Sequence, residues 1–215
     1  MHYTPELPER FYQWWKRVGA QGGAVVAFEN LRSLYATPCG FRVPRAYHTL
    51  AHIEHCLRTL DDVRPHLTHA DSAEFALWCH NAVYIPGDKS NESQSAIIAV
   101  AAVEAFGLSG PFLAVGQHVL ATVHMHRPES VDAQYVADID MSVLGSDEER
   151  YAHYAQAIRA EFAVVTDEAW RVGRCEFLQK MLERAGKNEL FYTPHFASLQ
   201  AVAIANMERE LRGFE

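Results

Sequence analysis

Twelve of the 215 residues are histidine, and they are scattered along the chain instead of forming a tag. Imidazole binds transition metals and moves protons near neutral pH, so the first question is which of them could converge. His48, His52 and His55 fall in one short stretch, at spacings of four and three. On a helix over 45–61 they would share a face, roughly 150° from the stripe of Leu50, Ile53, Leu57 and Leu60. Taken alone, that face reads equally as a solvent-facing polar side. His80 and Asn81 interrupt the apolar run Leu77 to Tyr84, where a polar pair must find hydrogen-bond partners. A satisfied core histidine would do as well as a ligand there. His124 and His126 follow near a helix end. Asp138 and Asp140 then stand in an apolar context that is costly unless they are paired or bind a cation. Imidazoles and carboxylates drawn from several segments are the raw material of a metal site inside a helical bundle.

The segments that would carry these groups have the 3.6-residue period of helices. Clusters of Pro and Gly cut the chain into pieces, and helices are predicted over 45–61, 71–84, 91–107, 111–125, 131–143, 147–163, 167–185 and 195–212. Thr166, followed by Asp167 and Glu168, reads as an N-cap, as does Ser109 or Gly110 ahead of Pro111. No Asn-Gly or Asp-Gly hairpin separates alternating runs. The reading is an all-α protein with one domain over 1–215.

Composition narrows the function classes. The chain is 49% apolar and carries a formal charge of -8, which disfavours a nucleic-acid polymer as partner. The apolar stretch from Ala96 to Leu108 contains Glu104 and is too short to span a membrane. No export signal is visible at the N-terminus, so a cytoplasmic location is expected. Cys39, Cys56, Cys79 and Cys175 form no C-x-x-C pair and read as reduced thiols. His2, His66, His69, His118, His153 and His195 read as ordinary surface or packing residues.

The ordered set of motifs resembles the HD-domain metal-dependent phosphohydrolase superfamily, and within it a bacterial group of uncharacterised HD phosphohydrolases of about this length. The resemblance runs through Arg45-x-Tyr47-His48-x-Leu50-x-His52-Ile53, the His80 segment, Asn91-Glu92-Ser-x-Ser-Ala96 and Ala121-Thr122 with His124. It continues through Asp138-x-Asp140-x-Ser-x-Leu-Gly145, Tyr151-x-x-Tyr154-x-x-x-Ile-Arg159-x-Glu161-Phe162, Gly173-Arg174 and Ala205-Asn206 to Leu211. It implies an HD-type helical bundle with His52, His80 and Asp140 as metal ligands, Asp138 being the alternative for the last. Tyr47-His48-x-x-x-His52 is also similar to an element of cyclic-nucleotide phosphodiesterases, which implies His48 as general acid.

The departure lies in the His-Asp doublet, which is His80-Asn81 here. Asn81 offers a neutral carbonyl oxygen where the family has a ligating carboxylate, and a neutral amide is a poor bridge between two ions. One divalent ion (Mn, Fe, Zn, Co, Ni or Mg) is expected, not two. Glu92 would orient water or join the ligands, unless it is only a helix N-terminal carboxylate. Arg45, Lys89, Arg127 and His124 border the motifs and would hold substrate, although a plain surface charge explains the cations too. Arg159 and Arg174 fit family positions or structural ion pairs equally. The implied activity is hydrolysis of a small phosphorylated molecule such as a nucleotide, in a chain free to form homo-oligomers. The alternatives are an HD-fold binding or regulatory protein without turnover, favoured by Asn81, and an iron oxygenase built on two His and a carboxylate.

Overall fold

The computed structural model describes every residue except 1–3, 37, 39–42 and 215, so His2 and Cys39 lie outside the described residues. It is all-α as expected, with no strand among the described residues. Eleven α-helices are described: α1 Glu6–Val18, α2 Ala24–Ala36, α3 Leu50–Val63, α4 Ala70–Cys79, α5 Asn91–Ala105, α6 Val115–Leu120, α7 Val131–Met141, α8 Glu148–Glu161, α9 Asp167–Gly186, α10 Pro194–Ala197 and α11 Gln200–Arg212. Fully buried Ile53, Leu57 and Leu60 of α3, Leu77 and Trp78 of α4, and Val136 and Ile139 of α7 form the centre of the core. Helices α3 and α7 carry His52 and Asp140 among these core turns, and His80 follows the last residue of α4.

Several boundaries differ from the sequence reading. Helix α3 begins at Leu50, because extended Thr49 caps it by accepting a hydrogen bond from the Ala51 amide, and His48 stands before the helix. Helix α4 stops at Cys79, leaving His80 at its C-cap and Asn81 in the following turn, outside the helix. The expected helix 111–125 is three short pieces: a 3-10 turn over 110–114, α6, and another 3-10 turn over 121–123. Ser109 precedes the first of these without a side-chain cap, whereas Thr166 caps α9 by accepting from the Ala169 amide. The segment 131–143 tightens into a 3-10 turn from Ser142, and 195–212 breaks into α10 and α11. Cys56, Cys79 and Cys175 are free thiols, as read. No helix among the described residues is long and apolar enough to cross a membrane.

Helices α1 and α2 extend the core beyond the predicted segments. Gly19 ends α1 in the left-handed region (φ 68°), its amide returning to the Lys16 and Trp15 carbonyls. Trp14 stacks on Phe75 of α4 at 4.7 Å, and Phe11 meets Trp78 edge-on. Buried Glu74 of α4 then receives Arg10 and Arg17 of α1 at 3.1 and 2.8 Å, together with Arg64. Asp61 and Asp71 complete the network. Removing the carboxylate takes the shared, buried partner from three cations and leaves them Asp61 and Asp71 at the partly exposed rim. Glu74→Ala is therefore expected to lower stability by about 3 kcal/mol, read as a shift in the urea midpoint at unchanged slope.

Candidate metal centre

Three elements bring their donors to one point. His52 of α3, His80 at the end of α4 and Asp140 of α7 meet with His52 Nε2 3.1 Å from His80 Nε2 and 3.1 Å from Asp140 Oδ1. His80 Nε2 lies 3.3 Å from the same oxygen. His80 Nδ1 donates to the Leu77 carbonyl at 2.8 Å, which keeps a proton on Nδ1 and turns Nε2 toward the cluster. Donor atoms at these spacings are the edges expected around one ion holding its ligands at about 2.1 Å. The face that could have been solvent-facing is therefore packed: His52 is buried, and His55 reaches Ser142 Oγ at 3.3 Å.

The electrostatics suit a cation. Burial pushes His52 down to about 4, against the opposing pull of Asp140. Burial alone would raise Asp140, but the charge of His80 and hydrogen bonds from His124, His52 and His80 hold it well below the usual carboxylate range. The cluster thus sets a His52 ring kept neutral by burial beside an ionised carboxylate. Cys56, one turn after His52, completes a group of four donors within 4.8 Å of one another that could hold a metal ion. Its sulfur lies 3.6 and 3.8 Å from the two ring nitrogens of His52, so it faces the ring and not the Nε2 lone pair. Burial pushes its thiol pKa well up.

The two aspartates of α7 divide the work. Asp138 accepts from the Tyr192 and Thr193 amides and from the Thr193 hydroxyl at 2.7–2.8 Å, leaving Asp140 as the carboxylate of the cluster. His124 adds a third imidazole, Nε2 2.9 Å from Asp140 Oδ2. It sits at φ 56°, a strained position for a residue other than glycine, held by Arg184 donating to its carbonyl. Among the described residues, four buried polar side-chain atoms lack a hydrogen-bond partner: Asn81 Oδ1, His124 Nδ1, the Tyr47 hydroxyl and Trp78 Nε1. The first three residues line one cavity of about 480 Å³, shared with His48, Glu92 and Asp140. Unpaired buried groups each cost about 1–3 kcal/mol, and gathering three at one wall marks a place where a bound group would satisfy them.

His48 enters the cavity from the loop before α3. Its Nδ1 lies 2.7 Å from Glu161 Oε2, and its ring stacks on Tyr84 at 3.8 Å. Glu161 Oε1 also accepts the amides of Ala46, Tyr47 and His48. Burial opposes its ionisation, but the His48 bonds and these amides hold it at about 2. Glu161 stands in the sequence only as part of a motif, and its pairing with His48, 113 residues away, is seen in the structure alone.

The predicted substrate cations are elsewhere. Arg45 donates to the carbonyls of His48, Asn81 and Ala82, clipping the two site loops together, and is not part of the cavity wall. Lys89 is exposed on the loop before α5, also away from the wall. Arg127 lies over the Tyr192 ring, and Arg159 bonds Asp167. Arg174 lines the cavity but is bound by Glu210 and Tyr154. Glu92, half-buried at the start of α5, does reach the cavity wall.

Comparison of the chain with protein-family models, with curated proteins and with solved structures found no match. What the fold and site define is an all-α protein with a His, Cys, His and Asp cluster able to hold a metal ion.

Two outcomes follow from this geometry. Mn(II), Co(II) or Zn(II) is expected to raise the denaturation midpoint by mass action. His80→Ala or Asp140→Ala should abolish both that rise and metal retention by elemental analysis. Asp138→Asn should lower metal-free stability by about 2 kcal/mol yet keep the rise. The second outcome concerns pH. Burial, reinforced by Arg150, pushes His55 down to about 3, whereas an unperturbed histidine titrates at 6.5. The unfolded chain therefore binds more protons below 6.5, so this contribution is full above that pH and is lost as pH falls toward about 3. His55→Gln should flatten the decline between pH 7 and pH 4 by about 2 kcal/mol, measured by denaturant melts at both values.

Proposed function

We propose that this chain is a metal-dependent phosphohydrolase of the HD type that works with one divalent ion. The observation that carries the reading is the convergence of His52 Nε2, His80 Nε2 and Asp140 Oδ1 within 3.1–3.3 Å, beside a cavity whose wall holds the His48–Glu161 pair. His52, His80 and Asp140 would hold the ion, and the unpartnered Oδ1 of Asn81 fits a neutral fourth donor. Such an ion supplies charge neutralisation at phosphoryl oxygens and lowers the pKa of water.

The chain's own residues supply the rest. Ionised Glu161 keeps a proton on His48 Nδ1, which leaves Nε2 as the atom that exchanges a proton with substrate. Burial, helped by the charge of Asp140, raises the carboxyl pKa of Glu92, which suits it to proton exchange at the cavity wall. In hydrolysis a P–O bond forms to water as the ester P–O bond breaks. Water would give one proton to the Glu92 carboxylate while the departing oxygen takes one from His48 Nε2, after which Glu92 returns a proton to solvent and His48 takes one up.

Asn81 favours a second reading, an HD-like binding protein without turnover, because it removes a negative charge from the donor set. One experiment separates them. On the phosphohydrolase reading, metal-loaded protein hydrolyses p-nitrophenyl phosphate, and Asn81→Asp raises metal affinity by about tenfold or more together with turnover. His48→Gln lowers kcat by about a hundredfold at unchanged metal content. If metal-loaded wild type and Asn81→Asp are both inert on a broad ester panel, the binding-protein reading stands instead.

A further inference from the structure

The cavity extends well past the metal end, and its far part differs in character. It runs between the end of α8, one face of α9 and the 3-10 turn over 142–145, walled by Leu144, Ile158, Phe162, Trp170, Phe177 and Met181. The polar side chains along it are already engaged. Buried Arg174 donates to Glu210 and Tyr154, and the Thr122 hydroxyl donates to the Val119 carbonyl. Lys180 is exposed, its Nζ on Met125 sulfur. The Tyr47 ring, whose hydroxyl is unpartnered, stands where the two ends meet, 4.7 Å from the ring of His52 and 4.8 Å from that of Tyr154. Little remains along this arm to read the hydroxyls of a sugar.

Helix α9 adds a separate sign. Gly173 lies inside this helix and on the cavity wall, and a Cβ built there meets nothing within 4 Å. Glycine in a helix interior is unfavourable relative to alanine, so the packing of this chain gives no reason for it. A ligand lying against α9 does give one, because the missing side chain widens the arm beside Trp170 and Phe177.

We propose that the site takes phosphate esters whose organic part is an apolar, ring-sized group seated against α9, in preference to sugar phosphates. The proposal rests on the phosphohydrolase reading for the phosphate end. The apolar seat itself is defined by the arm, and the volume suits a ring or two plus a phosphate. Aromatic walls accept a ring in offset or edge-on contact, and the ring carries its apolar surface out of water.

Binding and turnover test the two halves separately. Titration calorimetry on metal-loaded protein compares 1-naphthylphosphonate, which cannot be hydrolysed at its P–C bond, with methylphosphonate and ribose 5-phosphate. The naphthyl ligand is expected to bind at least about tenfold more tightly than either. Gly173→Leu fills the arm while improving helix propensity, so it should erase that margin at an unchanged or raised melting temperature. Phe177→Ala should reduce the margin without changing methylphosphonate affinity. Equal affinities for the three ligands, or a margin that survives both substitutions, overturn the proposal even if esters are hydrolysed. A Gly173-dependent margin in a protein that hydrolyses no ester overturns the phosphohydrolase reading and leaves the apolar seat standing.

Discussion

Asp140 is the interaction on which the centre of this molecule depends. Its two oxygens lie within 3.3 Å of the Nε2 atoms of His52, His80 and His124, which arrive from α3, the end of α4 and the strained turn after residue 123. Four segments are thereby tied to one carboxylate. The arrangement is not a conventional salt bridge, because burial keeps His52 neutral until about pH 4. An ionised carboxylate beside a neutral His52 places negative charge in a low-dielectric interior, and such charge is costly unless a cation answers it. The Nε2 atoms of His52 and His80 lie 3.1 Å apart, so the two rings would repel each other if both were charged.

Other buried carboxylates do a different job, and the contrast explains why Asp140 alone faces the cluster. Asp132 accepts the Thr68 and His69 amides, Asp138 those of Tyr192 and Thr193, and Glu161 those of residues 46–48. Each pins a loop whose amides have no helical partner. The loops fixed this way lead into α3, α4 and α10. With their acceptor capacity spent on backbone, these groups have little left for a ligand. Asp140 spends its capacity on imidazole nitrogens, which are themselves metal donors.

The all-α class is legible in the periodicity, and the resemblance points to three of the four donors that cluster, His52, His80 and Asp140, but not to Cys56. What the sequence left open has physical reasons. Asp138 and Asp140 are two apart, which on a helix points them to nearly opposite sides, so only one can face the histidines. Which one does so is decided by where the 192–193 loop passes. The apolar stripe and the break at Pro44 put the start of this helix near residue 45, although Thr49 is a good N-cap and marks the true start. The end of α4 at Cys79 has no Gly or Pro near it. It is set from a distance, by Arg45 holding the carbonyls of Asn81 and Ala82 and by Ser95 meeting the Val83 amide. Helix α2 escaped because Val25 and Val26 are exposed at its start, blurring its apolar stripe.

The same remote control bears on Asn81. Arg45 fixes its backbone and leaves its side chain, with an unpartnered Oδ1, at the cavity wall. The turn is therefore held whatever amide or acid stands at this position, and the choice between them is one of charge and not of shape. With Asp140 as the one carboxylate among the proposed ligands, a divalent ion leaves a net charge of about +1 at the cavity end, whereas a second carboxylate would cancel it. A neutral amide thus weakens the hold on the ion and strengthens the field felt by an incoming phosphate. It also spares Glu92, whose ionisation already suffers from burial and from Asp140, a third nearby negative charge. On the proposed reading, the asparagine that argues against a two-ion centre is well matched to a one-ion centre that would attract an anion into a largely apolar cavity.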